Sequence, residues 1–232
     1  MKKKVLILGG SSDIGLALAK KFLQSDKYSC YLHYNSNLKN LNVLKSKCNF
    51  IKADFFSLDS ETINKKFDND FDIIVNLVGY LSNKSFAEFR IKSLEKSIKI
   101  NSIVPLLIIR RSINKMIKKK WGRIVNSSSV GTKFGGGHTT FEYSIAKHFN
   151  EFIPNYFRKL VSKNIFFNVI KIGLTNTKLH SKIPNKDIVK RIKLVPTKKM
   201  ADPNDIANYI YFICSEENKF IASEIISITG GE

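Results

Sequence analysis

Tyr143 and Lys147 stand four residues apart in the run Tyr143-Ser144-Ile145-Ala146-Lys147, a spacing that puts both side chains on one face of a helix. The pairing has a chemical use. A free phenol titrates near pH ~10, too high to give up a proton readily at neutral pH. An ammonium close by favours the phenolate and brings the phenol towards general-acid work. The spacing alone is common on helices, and a second cluster gives it weight. Gly9-Gly10-Ser11-Ser12-Asp13-Ile14-Gly15 directly follows the apolar run Val5 to Leu8 and precedes an amphipathic stretch. Glycines between a strand and a helix let the backbone approach a ligand, and the first helical amides and the helix dipole attract phosphate. The turn reads as a dinucleotide pyrophosphate site.

The elements that must hold these groups follow from the pattern of apolar runs. Strands are expected at Val5 to Leu8, Tyr28 to Tyr34, Phe50 to Ala53, Ile73 to Leu77, Arg123 to Asn126, Ile165 to Ile170 and Glu224 to Ile228. Several are apolar throughout, as strands covered on both faces should be. Helices are expected at Ile14 to Leu23, Ser93 to Lys118, Tyr143 to Lys163 and Asn204 to Ser215, with Pro105 and Pro154 kinking or interrupting the second and third. No linker or repeat divides the chain. The alternation predicts one α/β domain over 1–232, a Rossmann-type doubly wound parallel sheet with helices on both faces and ligands at the carboxyl ends of its strands.

Composition narrows the class. The net charge of +20 invites a nucleic-acid reading. The excess is spread lysine, however, and its clusters (Lys2 to Lys4; Lys118 to Lys120 with Arg123; Lys198 and Lys199) read first as solvated surface. Cys30, Cys48 and Cys214 lack metal-ligand spacing, so no metal site is expected, and their odd number suits reduced thiols in the cytoplasm. No apolar run is long enough to span a membrane. The basic start leads straight into a glycine turn and does not read as a signal peptide.

The spacing of the glycine turn resembles the Thr-Gly-x-x-x-Gly-x-Gly signature of the short-chain dehydrogenase/reductase family, and further motifs carry that resemblance over nearly the whole chain. Asn76-Leu77-Val78-Gly79 is similar to its Asn-Asn-Ala-Gly motif. Asn126-Ser127-Ser128-Ser129 matches the strand that ends in the catalytic serine. Tyr143 and Lys147 fit Tyr-x-x-x-Lys, Gly173 to Thr177 fits Pro-Gly-x-x-x-Thr, and Thr229-Gly230-Gly231 matches the usual ending. The resemblance implies a catalytic set of Asn101, Ser129, Tyr143 and Lys147. Tyr143 would donate a proton to a substrate carbonyl while nicotinamide delivers hydride. Lys147 would hold the nicotinamide ribose and lower the phenol's pKa. Ser129 would steady the carbonyl oxygen, and Asn101 would anchor a proton-relaying water. The implied cofactor residues are Gly9, Ser11, Ser12, Asp13, Ile14, Gly15, Asn35, Ser36, Asp54, Asn76, Gly79, Tyr143, Lys147, Gly173, Thr175 and Thr177.

Departures from the pattern matter too. Leu8 replaces the threonine, Asp13 the middle glycine and Ile172 the proline, which is expected to loosen the loop over the nicotinamide. The Asp13 carboxylate could cap its own helix. Counting back from Gly131 makes Ser128 a second candidate for the catalytic hydroxyl. After the second strand, His33-Tyr34-Asn35-Ser36-Asn37-Leu38-Lys39 carries no carboxylate to disfavour a 2′-phosphate, so NADP(H) is favoured over NAD(H), with Lys39 a further contact. His33 and His138 are not expected to react. Residues 178–195 should form a substrate lid. The likeness is greatest to 3-oxoacyl-(acyl-carrier-protein) reductases, which implies a 3-oxoacyl thioester or related small carbonyl, carrier-bound or free, with Lys118 to Lys120 offering charge to an acidic carrier or a phosphopantetheine phosphate. Sugar or polyketide carbonyls are alternatives, and so, in another class, is a non-catalytic nucleotide sensor or scaffold. Family members commonly assemble as homo-tetramers or dimers; Phe149, Phe152, Ile153, Phe157 and Leu160 could supply the interface or face the core.

Overall fold

The seven apolar runs become seven strands of one all-parallel sheet: β1 (Lys3–Leu8), β2 (Tyr28–Tyr34), β3 (Cys48–Lys52), β4 (Ile73–Asn76), β5 (Gly122–Ser129), β6 (Ile165–Ile172) and β7 (Ile225–Ile228). The computed structural model describes all 232 residues. Spatial order is β3-β2-β1-β4-β5-β6-β7. The chain therefore winds outward in one direction from β1 and in the other from β4, and the crevice between those two strands is the switch point where such sheets bind ligands.

Alternation along the strands feeds two cores. Val5 and Ile7 of β1, with Ile73 and Val75 of β4, pack on one face beneath α1 (Asp13–Phe22) and α8 (Pro203–Cys214). Leu6, Leu8, Ile74 and Ile124 pack on the other, with Ile108 and Ile113 of α4 (Val104–Lys119) and Phe157 of α6 (Asn155–Leu160). Leu8, standing where the family signature has threonine, is completely buried in this second core, so the position serves packing instead of hydrogen bonding.

Of the two long helices expected from periodicity, the first is continuous and the second is broken. Residues 91–119 form one helical run, α3 (Ile91–Ile98), a π-helical turn (Lys99–Ile103) and α4, with Pro105, which has no N–H to donate, directly after the turn. The stretch from 143 ends as α5 (Phe141–Phe149), and Pro154 then sits at the N-cap of α6. Two further helices appear: α2 (Ser60–Lys66), with Ile63 its one buried apolar residue and capped by Asp59 accepting from the Thr62 amide, and α7 (Ile188–Leu194), capped by Asp187 accepting from the Lys190 amide.

Ile172 does not loosen its loop. It continues the ladder, opposite Ser129 of β5 on one side and Ile228 of β7 on the other. The next residue, Gly173, has no room for a side chain, since a Cβ there would lie 2.6 Å from the Thr229 Cα. Gly173→Ala should therefore cost about 1–3 kcal/mol of stability, read as a lowered urea midpoint with an unchanged slope.

Candidate active site

A cleft of about 1150 Å³ opens at the carboxyl ends of the strands. Among the residues lining it are Gly9, Ser11, Ser12, Asp13 and Ile14 from the first turn, Asn35, Ser36 and Asp54 from the ends of β2 and β3, Gly79, and Ser129, Tyr143 and Lys147. Gly173, Thr175 and Thr177 complete the far wall. One concave surface thus gathers most of the residues marked in the sequence. Gly15, Asn76 and Asn101 do not line it and act from beneath.

The glycine turn is held by close backbone approach. Gly9 has φ +76°, and a Cβ on it would lie 2.8 Å from the Leu77 carbonyl oxygen. Gly15 fits under the turn, where a Cβ would come within 2.6 Å of the Gly9 carbonyl oxygen. Ser12, not Asp13, caps α1: its Oγ accepts from the Gly15 amide at 3.1 Å and donates to the Gly9 carbonyl at 2.7 Å. The Asp13 carboxylate reaches across the cleft instead and accepts from the Lys178 amide at 2.7 Å. The amides of Asp13 and Ile14 find no acceptor within the chain and form a ready anion site at the positive end of α1.

His33 proves to be a brace. Its Nδ1 accepts from the Gly9 amide at 3.1 Å and its Nε2 donates to the Ala53 carbonyl at 3.0 Å, with the ring stacked 4.1 Å from Phe55. Burial pushes its pKa down to about 4, so the ring is neutral, as those two bonds require. At the outer end of the cleft Asn35 and Ser36 are exposed, while Asp54 accepts from the Phe56 amide at 3.0 Å. Lys39 does not line the cleft. Asn40 does, and its carboxamide donates to the Ser11 carbonyl at 3.1 Å.

The catalytic candidates surround one buried ammonium. Lys147 Nζ donates to the Ser127 carbonyl (3.0 Å), the Ser127 hydroxyl (2.8 Å) and the Val78 carbonyl (2.9 Å). Asn150, one turn further along, donates to the same Ser127 carbonyl (3.1 Å) and to the Asn101 carbonyl (3.2 Å). That carbonyl sits in the π-helical turn and also receives the Asn76 carboxamide (3.3 Å). The Asn101 side chain grips Tyr80 from both sides, accepting from its amide at 2.8 Å and donating to its carbonyl at 3.1 Å. The bonds close a loop through Val78, Tyr80, Asn101, Asn150, Ser127 and Lys147. Neither Ser127 nor Asn150 stood out in the sequence. For Asn150, its place one helical turn after Lys147 was the available signal.

Strand alternation separates the two serines. Ser128 points away, its hydroxyl donating to Glu151 at 2.5 Å. Ser129 faces the same side of β5 as Ser127 and accepts from the Gly131 amide at 3.1 Å. The electrostatics depart from the simple picture of a cation activating a phenol. Lys147 Nζ lies 5.6 Å from the centre of the Tyr143 ring, with its protons directed to Ser127 and Val78. Burial dominates for both groups: it pushes the phenol above its ordinary range and the ammonium down to about 7. Tyr143 is therefore protonated at neutral pH, the form a proton donor needs.

Two surface expectations shift. Lys118 to Lys120 end α4 beside the start of β5, and Lys119 pairs with Asp72 at 2.7 Å just before β4. This cluster thus lies at the amino edge of the sheet, opposite the cleft. Apart from Lys147, the cations at the cleft are those of the lid region: Lys178, Lys182, Lys186 and Arg191. Of the apolar positions after Lys147, Phe149 and Phe152 are exposed, Phe157 and Leu160 are core, and Ile153 packs partly against it.

Comparison with known proteins shows the family. The family described as Enoyl-(Acyl carrier protein) reductase matches residues 10–232. A 3-oxoacyl-[acyl-carrier-protein] reductase of Aquifex aeolicus is 30% identical over 241 residues, covering 99% of this chain and 96% of its own. Among solved structures, a 3-oxoacyl (acyl-carrier-protein) reductase of Agrobacterium tumefaciens with NADP bound superposes with a TM-score of 0.87 at 19% identity, covering 99% of this chain and 94% of that one. ElxO with NADP bound gives 0.84 at 26% identity, covering 100% and 98%. The chain belongs to the short-chain dehydrogenase/reductase family and is an NAD(P)-dependent oxidoreductase that interconverts a carbonyl and an alcohol.

Proposed function

We propose that this enzyme reduces a 3-oxoacyl thioester with NADPH, using Tyr143 as proton donor. The observation that carries the reading is the buried ring around Lys147, which fixes the tyrosine's helix, the loop after β4 and the serine strand in one arrangement. The free amides of Asp13 and Ile14, beside a glycine that tolerates no side chain, suit the pyrophosphate of a dinucleotide. Asn35 and Ser36, with no carboxylate nearby in sequence, favour a ribose 2′-phosphate, in keeping with the NADP in the ElxO structure. When bound, the dinucleotide supplies the hydride.

The chain's own groups supply the rest. Tyr143, protonated, gives its proton to the carbonyl oxygen as negative charge builds there. Ser129, on the cleft side of β5, donates a hydrogen bond to the same oxygen. Lys147 in its charged form stabilises the phenolate left behind, and Ser127, Val78 and Asn150 keep the ammonium and the helix in place. Asn101 acts by positioning Tyr80 and by closing the ring. The apolar side chains of Leu81, Phe134, Leu179, Ile183 and Leu194 line the same cleft and suit an acyl chain. The thioester assignment leans on the Aquifex relative's name, and the lid cations would meet a carrier's acidic surface. Assembly into a dimer or tetramer through exposed Ile145, Phe149 and Phe152 belongs to the same reading, as does a cytoplasmic setting for the three free cysteines.

Titration with NADPH and NADH, followed by assay on a 3-oxoacyl thioester, tests this directly. Tighter binding of NADPH and turnover of the thioester are expected. Tyr143→Phe should lower kcat by about 10²–10⁴ and Ser129→Ala by about 10²–10³, whereas Ser128→Ala should stay close to wild type. Equal loss in the two serine variants would contradict the assignment.

The depressed lysine pKa has a thermodynamic consequence. An unfolded lysine titrates near ~10.4, so between about pH 7 and that value the unfolded chain binds the extra proton. Stability must then rise with pH across the window. Below pH 7 both states are charged and the slope vanishes. The stability of wild type relative to Lys147→Met should accordingly increase from pH 7 to 10, by at most about 1.4 kcal/mol per unit, in paired denaturation curves.

A further inference from the structure

The segment 178–182 crosses the cleft between two side chains that hold it by its backbone. At one end the Asp13 carboxylate accepts from the Lys178 amide at 2.7 Å, a bond between residues 165 apart in sequence. At the other, the Asn83 carboxamide donates to the Lys182 carbonyl at 2.7 Å, from a residue held in the left-handed region at φ +55°. Ser181 closes the turn between them by donating to the Lys178 carbonyl at 2.8 Å. The anchored stretch carries Leu179 over the tyrosine. A Cβ built on Gly79 would lie 3.8 Å from Leu179 Cδ1 and 3.9 Å from Tyr143 Cε2.

Asp13 has no other task at this place. Ser12 already caps α1, and a carboxylate beside two free amides works against an anion binding there. Its contact lies on the strap. A glycine at this position would leave the Lys178 amide without that acceptor.

We propose that Asp13 and Asn83 are the two latches of a strap, 178–182, that closes the cleft over Tyr143, and that nucleotide enters and leaves by breaking the Asp13–Lys178 bond. The gating half rests on the dinucleotide reading; the latch does not. Asp13 is a positioning residue, since it acts through the strap and not on the reacting atoms. The hydrogen bond, not the charge, is what the latch requires.

Hydrogen exchange of the peptide covering 178–183, in the full chain without added nucleotide, tests the latch. Asp13→Ala should exchange there about tenfold faster than wild type, the loss expected for one charge-assisted hydrogen bond. Asp13→Asn keeps an acceptor oxygen and should stay within about threefold of wild type. Asn83→Gly, which preserves the left-handed backbone, should speed the same peptide. Asp13→Ala and Asp13→Asn remove the same charge from the anion site and differ only in the acceptor, so stopped-flow release of NADPH should be about tenfold faster from Asp13→Ala than from Asp13→Asn. Unchanged exchange in Asp13→Ala, or equal acceleration in Asp13→Asn, would overturn the latch. A wild type that shows the exchange pattern but binds neither NADPH nor NADH would support the latch and refute the gating and the dinucleotide reading together.

Discussion

A charged lysine cannot be taken out of water unless every proton on it finds an acceptor, and that demand organises the centre of this molecule. Lys147 is 2% exposed. Its three acceptors come from two different strand ends: the Val78 carbonyl after β4, and the carbonyl and hydroxyl of Ser127 on β5. Satisfying the ammonium therefore fixes the distance between those ends and the helix that carries Tyr143. Asn150 and Asn101 extend the same constraint to the loop at Tyr80. A buried polar network of this kind specifies one arrangement when complete and is costly when any member is missing. The catalytic geometry and the local stability are thus one problem with one solution.

The cofactor end is built on a different principle, in which backbone is left unsatisfied on purpose. Close approach of Gly9 to Leu77 and of Gly15 to Gly9 forces the turn shut. His33, buried and neutral, clamps it to the neighbouring strand, and two amides remain open at the start of α1. Desolvation links this end to the catalytic one. The burial that neutralises His33 also keeps Tyr143 protonated and drives Lys147 towards neutrality. A phenol that holds its proton until a neighbouring oxygen acquires charge is a general acid, and the ring of acceptors places the cation that must receive the resulting phenolate.

How much of this could be read from the chain varied with the physics involved. All seven strands were legible: the central ones, covered on both faces, are nearly continuous apolar runs, the half-exposed edge strands β3 and β7 are short and β-branched or aromatic, and the parallel order followed from the alternation with helices. The family motifs group the glycine turn with Tyr143, Lys147, Ser129 and Asn101 from residue types and spacing alone. The short helix α2 was not legible, since it carries one apolar residue, Ile63, and is marked only by its aspartate cap. The π-helical turn at Asn101 has no signature in residue type. Asp13 could be marked as a departure, but its partner lies 165 residues away and only the folded chain supplies it. Ser128 and Ser129 were inseparable by counting and are separated by the two-residue period of β5. The place of Lys118 to Lys120 was legible too: residues that precede a strand lie at its amino edge, opposite the ligands.

The account stands on the state of one ammonium, and that can be observed. Proton titration of the protein labelled with ¹⁵N-lysine, with Lys147→Met identifying the signal, gives the midpoint of Lys147 directly. A midpoint near 7, well separated from the surface lysines, is the predicted result. A midpoint near ~10.4, the value of a solvated lysine, would show that burial does not dominate the titration of this group, and the account of its charge state and of stability rising from pH 7 to 10 would be wrong.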